Sequence, residues 1–237
     1  MTFPPIAMLH HIGDDPRLED HKPYAISKES FIRLLDYIEK NGIETKDFNS
    51  WTAQSSSIFS KQVMLTIDDC YRHLLDFAIP ELQRRNMKAV LYMPTAHFSG
   101  SNTWDSKQGK SSIEIMSESE LRDVAMAGFE IGVHGHQHIE LDTVSFEQAQ
   151  AELLNSKEIL TELTKTTIKS MAWPFGRVPD RYQEMLKSIG LKFGLGIYHP
   201  KGDRYAIRRF IYHDGDNEKT LAQKLSLSYR IYRAIKG

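Results

Sequence analysis

With a single cysteine, Cys70, the chain cannot brace itself with an internal disulfide. It has no excess of either charge. Thirty Lys and Arg stand against 31 Asp and Glu, a formal net charge of -1, which removes any bulk electrostatic case for nucleic acid or an anionic membrane. No apolar run approaches the length that spans a bilayer. The opening MTFPPIAMLHHIGDD lacks the basic-then-apolar pattern of a secretory signal. There is no internal repeat and no convincing linker. The expectation is a cytoplasmic protein with one domain over residues 1–237. With 41% hydrophobic residues, that length suffices for a sizeable core.

Apolar runs alternate with helical patterns along the chain. Strands are expected at Pro4–Leu9, Val63–Ile67, Lys88–Pro94, Phe129–Val133 and Lys169–Trp173, with short ones near 193–197 and 205–211. Helices are expected from Ser27 as N-cap to about Lys40, at Tyr71–Arg85, Glu118–Ala127, Ser145–Leu163 and Pro179–Ser188, and from about Glu218. Residues 45–62 and 97–116 read as polar loops. This spacing favours a parallel α/β architecture, barrel or open sheet, in which strand C-terminal ends carry the chemistry. Three clusters sit at such ends: Asp68-Asp69, His134-Gly135-His136-Gln137-His138, and Pro174-Phe175-Gly176.

Adjacent carboxylates diverge on an extended chain, so one can hold a metal while its neighbour faces a reacting water. Helix capping is the competing reading of the pair. Three histidines within five residues rarely arise from packing, and neutral imidazoles are common ligands for zinc-like metals. The segment is not the helical H-E-x-x-H, because Gly135 stands where the Glu would be. His134 and His136 alternating off a strand, or His134 and His138 converging across a turn, are both open. One Asp and two His leave positions for water and substrate, and a spare carboxylate would serve as base. The chemistry implied is metal-assisted hydrolysis of an acyl bond.

At these residues the sequence resembles the polysaccharide deacetylase family, the NodB-homology domain of the family-4 carbohydrate esterases. Thr66-Ile67-Asp68-Asp69-Cys70 is similar to the family's T-F-D-D-G, His134 to His138 to its H-[S/T]-x-x-H, and Ala172 to Gly176 to its R-x-P-Y region. AMLHHI is similar to the Y-H-x-[I/V] strand of many members, and the likeness covers roughly residues 5–215. The resemblance implies a distorted (β/α) barrel, often of seven parallel strands, that removes acetyl groups from sugars. It implies Asp69, His134 and His138 as ligands of a divalent metal, Zn2+ being the first expectation. Asp68 becomes the base, and Pro174, Phe175 and Gly176 a substrate and oxyanion turn. His136 would not be a ligand.

Three departures stand out. Ala172 occupies the place of an Arg that orients the base, so Arg177, Arg208 or Arg209 must substitute. No D-x-x-x-W-like motif is visible, and Ile211-Tyr212-His213 matches L-x-H imperfectly, which makes His213 the expected acid. Cys70 replaces a glycine, and reads as a small residue in a turn rather than a fourth, thiolate ligand.

His10 and His11 are expected to line the barrel mouth. Trp104 and Asp105 could flank a sugar, or simply pack. The last helix, with Lys224, Arg230, Arg233 and Lys236 beside Leu225, Tyr229, Tyr232 and Ile235, suits docking on the barrel better than grazing a membrane.

The functional expectation is a metal-dependent deacetylase of an N-acylated sugar, free or in a lipid- or nucleotide-linked glycan, serving surface-polysaccharide precursor synthesis. No nucleic-acid partner and no transmembrane segment are expected. The rivals are an H-x-H amidohydrolase using His134 and His136, and a carbohydrate-binding relative without turnover.

Overall fold

Residues 62–68, QVMLTID, are buried at six of seven positions, as expected of a strand covered on both faces. In the computed structural model, which describes residues 3–52, 61–106, 108–197, 203–226 and 228–229, this strand lies at the middle of a parallel sheet. In chain order the strands are β1 (Ile6–Leu9), β2 (His11–Ile12), β3 (Ala25–Ile26), β4 (Glu44–Lys46), β5 (Gln62–Asp68), β6 (Val90–Met93), β7 (Glu130–Val133), β8 (Ser170–Ala172), β9 (Phe193–Gly196), β10 (Ile207–Arg208) and β11 (Phe210–Ile211). The helices are α1 (Lys28–Lys40), α2 (Ala78–Arg84), α3 (Thr103–Ser106), α4 (Glu118–Met126), α5 (Phe146–Thr164), α6 (Tyr182–Ser188) and α7 (Glu218–Lys224).

The sheet runs β10-β9-β8-β7-β6-β5-β1-β11, with β4 also paired to β5. Its two ends are one piece of chain. Ile207–Arg208 pairs with β9 and Phe210–Ile211 pairs with β1, so the stretch 207–211 closes the sheet on itself. Counted as one stave, it makes seven parallel staves, as the resemblance implies. Arg209 sits at the seam, with its N–H on the Gly196 carbonyl at 3.2 Å.

Strand alternation divides the core in two. Val63, Leu65 and Ile67 of β5 face outward and join a layer shared with α1, α2, α4 and α5. Met64 faces inward, with Ile6, Val90, Tyr92, Ala172, Leu195 and Ile207, and the floor is filled by Phe48, Trp51 and Phe193. Gly132 leaves the interior open for the Tyr92 ring; a Cβ there would lie 2.3 Å from Tyr92 Cε1.

Helix starts follow the local signals. Ser27 caps α1 by accepting from the Ser30 N–H, and Ser117 and Ser145 form capping boxes with Glu120 and Gln148. Two sequence expectations need correction. Residues 71–85 are not one helix. A 3-10 turn at Arg72–Asp76 ends at Phe77, and α2 restarts there because Pro80, which lacks an N–H, is tolerated only in a helix's first turn. The stretch 45–62 is not simply a polar surface loop, since Phe48 and Trp51 are buried. The last helix is described only through α7 and residues 228–229, with Leu225 and Tyr229 packed on the core. Arg230, Tyr232, Arg233, Ile235 and Lys236 lie outside the described residues.

Glu130 is a buried carboxylate of the lower interior. Its Oε2 accepts the Asn49 N–H at 2.9 Å and its Oε1 the Ser170 hydroxyl at 3.3 Å. Burial, helped by the nearby Asp47 charge, pushes its pKa up to about 7. Between the ordinary value of 4.5 and about 7 the native protein holds a proton that the unfolded chain has lost. Its stabilising contribution is therefore complete below 4.5 and is lost as pH rises through 7. We predict that Glu130→Gln flattens the pH dependence of stability in that window and gains up to about 3 kcal/mol over wild type at pH 8. Urea unfolding at pH 5 and pH 8 checks this; parallel pH trends in the two proteins would refute it.

Candidate functional site

The interior pattern that buries Met64 and Thr66 brings Asp68 to the upper mouth of the barrel. The next two residues break the strand: Asp69 and Cys70 have φ of 71° and 49°, both left-handed. An extended chain would turn the second carboxylate away. The left-handed turn returns it, so both Asp68 and Asp69 line one cavity of about 230 Å3. Neither caps a helix. The turn after them starts at Tyr71, with no side-chain cap bond. Cys70 adopts the conformation that usually calls for glycine, at a steric cost. It is fully buried, and burial pushes its thiol well above the ordinary value. It stays outside the ligand cluster and acts as a small buried residue.

β7 delivers His134, and Gly135 at φ +77° turns the chain so that His138 returns to the same point. The Glu152 carboxylate on α5 pins this turn, accepting the N–H groups of His136 at 3.0 Å and Gln137 at 2.8 Å. His134 Nε2 and His138 Nε2 each lie 3.3 Å from Asp69 Oδ1. That oxygen is buried and has no hydrogen-bond partner within the protein. His136 points elsewhere, with its Nδ1 2.9 Å from Thr95 Oγ1. The structure thus groups His134 with His138 and leaves His136 out.

His134 Nδ1 lies 2.8 Å from the Ala172 carbonyl, which as acceptor fixes the proton on Nδ1 and leaves Nε2 free to face Asp69. Asp69, His134 and His138 form the one group of three metal-capable side chains found among the described residues. A buried orphan oxygen between two imidazoles fits a divalent cation of the zinc type.

Arg209 reaches down from the seam and grips Asp68 with both ends of its guanidinium, Nη1 to Oδ1 at 2.6 Å and Nη2 to Oδ2 at 2.7 Å. Nη1 also donates to Thr66 Oγ1 at 3.2 Å. Of the three arginines considered for the place vacated at Ala172, Arg209 holds the carboxylate, whereas Arg177 pairs with Asp142 and Glu140 at the rim. Burial pushes Asp68 up, but Arg209 and His134 outweigh it and hold its pKa below the usual value. For Asp69, burial is likewise overcome, by the facing imidazoles of His134 and His138, and its pKa also lies below the usual value. Burial drives His138 down to about 3.

His213 does not line the cavity; its backbone N–H donates to Asp216 Oδ2. His10, read from sequence only as part of the mouth, lines it with Nε2 3.8 Å from Asp68 Oδ2. A histidine following an apolar strand was the available signal. The IYH pattern is the competing signal; after β11 the chain turns toward α1, where Asp214 accepts from Ser27.

Pro174, Phe175 and Gly176 form a tight turn above the cavity, with Phe175 at φ 59° and ψ 9°. Its bonds are donated by the Gly176 N–H to Trp173 O and the Arg177 N–H to Pro174 O, which leaves the Phe175 N–H out of the turn's own bonding. Phe175 and Gly176 line the cavity, together with Trp104 and Asp105.

Comparisons with known proteins bear on the family and the fold. The profile of the family described as "Polysaccharide deacetylase" matches residues 59–194, more than half of the chain. The Bacillus subtilis (strain 168) protein YxkH is 24% identical over 196 residues, covering 81% of this chain and 63% of its own length, less than two thirds of that relative. The poly-beta-1,6-N-acetyl-D-glucosamine N-deacetylase of Staphylococcus aureus (strain MRSA252) is 21% identical over 209 residues, covering 81% of this chain and 69% of that protein. Among solved structures, the Streptococcus pyogenes deacetylase PplD in complex with acetate superposes with a TM-score of 0.79 at 18% identity, over 94% of this chain and 98% of that one. IcaB from Ammonifex degensii gives 0.76 at 18% identity, over 93% and 96%. At such identities the superpositions establish a shared fold. No helix among the described residues is long and apolar enough to cross a membrane.

Proposed function

Because the chain belongs to the polysaccharide deacetylase family, we propose that it is a metal-dependent hydrolase removing an acetyl group from an N-acetylated sugar of a surface polysaccharide. The observation that carries this reading is the Asp69 oxygen shared by His134 and His138 at 3.3 Å each, beside a second carboxylate that is not a ligand.

Asp69, His134 and His138 would hold the metal. When bound, the ion supplies a Lewis acid that makes attack of water on an acyl carbonyl feasible near neutral pH. Asp68 takes the proton of the attacking water, and Arg209 keeps it ionised and oriented for that task. The Phe175 N–H, spare in its turn, donates to the oxygen on which charge develops. His10 stands beside Asp68, takes over the proton that Asp68 drew from the water, and passes it to the leaving amine. Burial holds His10 below the ordinary imidazole value, so the ring is neutral at rest and is charged only in the course of the reaction.

The test is acetate release from a panel of N-acetylated glucosamine oligosaccharides, with and without a chelator, alongside metal content. His134→Ala and His138→Ala should lose the ion and the activity, while His136→Ala keeps both. An ion retained by His138→Ala but lost from His136→Ala would return the assignment to an H-x-H site. The finer reading, a lipid- or nucleotide-linked precursor handled in the cytoplasm, is tested by adding such precursors to the panel. Preference for the finished polymer would overturn it.

The acid is tested separately. His10→Ala should lower turnover by about 10²–10⁴ with metal retained, whereas His213→Ala should stay near wild type. The reverse pattern would restore His213 as the acid.

A further inference from the structure

Metal-bound histidines ordinarily present their second nitrogen to an acceptor that fixes the ring. His134 does so through Ala172. His138 does not: its Nδ1 is buried and has no acceptor within the protein. Aromatic rings hold it instead. The Trp104 indole stacks on the imidazole, with centroids 4.0 Å apart and planes 29° from parallel, and Phe175 approaches at 4.7 Å and 61°.

Trp104 is itself held in place. His97 meets it edge-on at 4.9 Å, and His97 Nε2 lies 3.3 Å from the carbonyl of Gln137, the neighbour of His138. Buried Asn102 ties the excursion together, with Nδ2 donating to Asp105 Oδ2 at 2.9 Å and Oδ1 accepting the Ile113 N–H at 2.7 Å.

The far end of the same excursion grips the turn that carries Asp69. The Met116 N–H donates to Cys70 O at 3.0 Å and the Arg72 N–H to Glu114 O at 2.9 Å, so Tyr71 pairs with Ile115 as an antiparallel bridge. Tyr71 then donates its hydroxyl to Asp69 Oδ2 at 3.0 Å, which leaves Oδ1 as the oxygen facing the two histidines.

One segment therefore clasps both ligand-bearing turns, whose residues Asp69 and His138 lie 69 apart in sequence. We infer that residues 101–106 and 108–116 form a brace that sets metal affinity, with Trp104 as the positioning residue for His138. This rests on the metal reading above. By linkage, a brace that tightens the site must itself be tightened by the ion.

The experiment measures Zn2+ affinity by chelator competition, and backbone hydrogen exchange with and without Zn2+, on the full chain. Trp104→Ala should bind Zn2+ about 10–100-fold more weakly. Trp104→Phe, which keeps a ring on the imidazole, should stay within about threefold of wild type. Zn2+ should slow exchange across 101–116 in wild type. A wild-type protein that binds no Zn2+ overturns the metal reading itself. Wild-type binding with unchanged affinity in folded Trp104→Ala overturns the brace and leaves the metal reading intact. If Trp104→Ala does not fold, unchanged exchange of 101–116 on loading the wild type overturns the brace equally.

Discussion

Asp68→Asn is expected to bind metal as the wild type does and to lose about 10²–10⁴ in turnover, the usual share of a general base. The expectation follows from where each carboxylate stands. Asp69 Oδ1 lies between the two imidazoles, whereas the nearest imidazole nitrogens to Asp68, those of His10 and His134, are 3.8 and 3.9 Å away. An amide in place of Asp68 still accepts from Arg209, so the fold should survive. Asp69→Asn should behave differently and weaken metal binding itself. Metal content and acetate release measured on the same preparations separate the two roles. Equal metal loss in both variants would contradict the division.

The second large effect is on stability. Arg209→Met leaves the Asp68 carboxylate buried without its cation, a change that typically costs about 3–5 kcal/mol. The pH dependence gives the sign. Asp68 is held below its ordinary value by Arg209, so the pair stabilises the protein above that value, and the contribution is lost as pH falls through the depressed one. Without Arg209, burial is left to raise the Asp68 pKa. The deficit of Arg209→Met should therefore be largest at pH 7–8 and shrink toward pH 4. Adding Asp68→Asn to Arg209→Met should recover much of the loss, because no buried charge is left. Chemical denaturation of the four proteins at pH 5 and pH 8 gives the coupling. A double variant no more stable than Arg209→Met would show that the guanidinium matters for packing and not for charge.

The sequence located most of the barrel because buried parallel strands are continuous apolar runs and their ends collect polar residues. Asp68, Asp69, His134 and His138 were legible for that reason, and the structure brings them to one cavity. Arg209 was legible only as one of three arginines. It lies 141 residues from Asp68, and what unites them is the closure of the sheet, which no local pattern encodes. His10 and His213 each follow a short strand near the mouth. Only the path of the chain after the strand separates them, and that path is set by Asp214 bonding to Ser27 at the start of α1. Cys70 shows another limit. A cysteine at φ 49° is disfavoured on its own, and its neighbours impose that conformation through the Met116 N–H on its carbonyl.

The seam at 207–211 ties closure of the sheet to the setting of the proposed base. A chain whose last stave has not docked between β9 and β1 lacks the cation that steadies Asp68, so it carries an uncompensated acid in its interior. On the proposed mechanism such a chain would lack an oriented base, and its isolated buried charge would be costly to keep. On that mechanism, freeing this one short stave would disable the site even with Asp69, His134 and His138 still in place. On the proposed mechanism, the base is therefore steadied only where the 207–211 stave lies between β9 and β1.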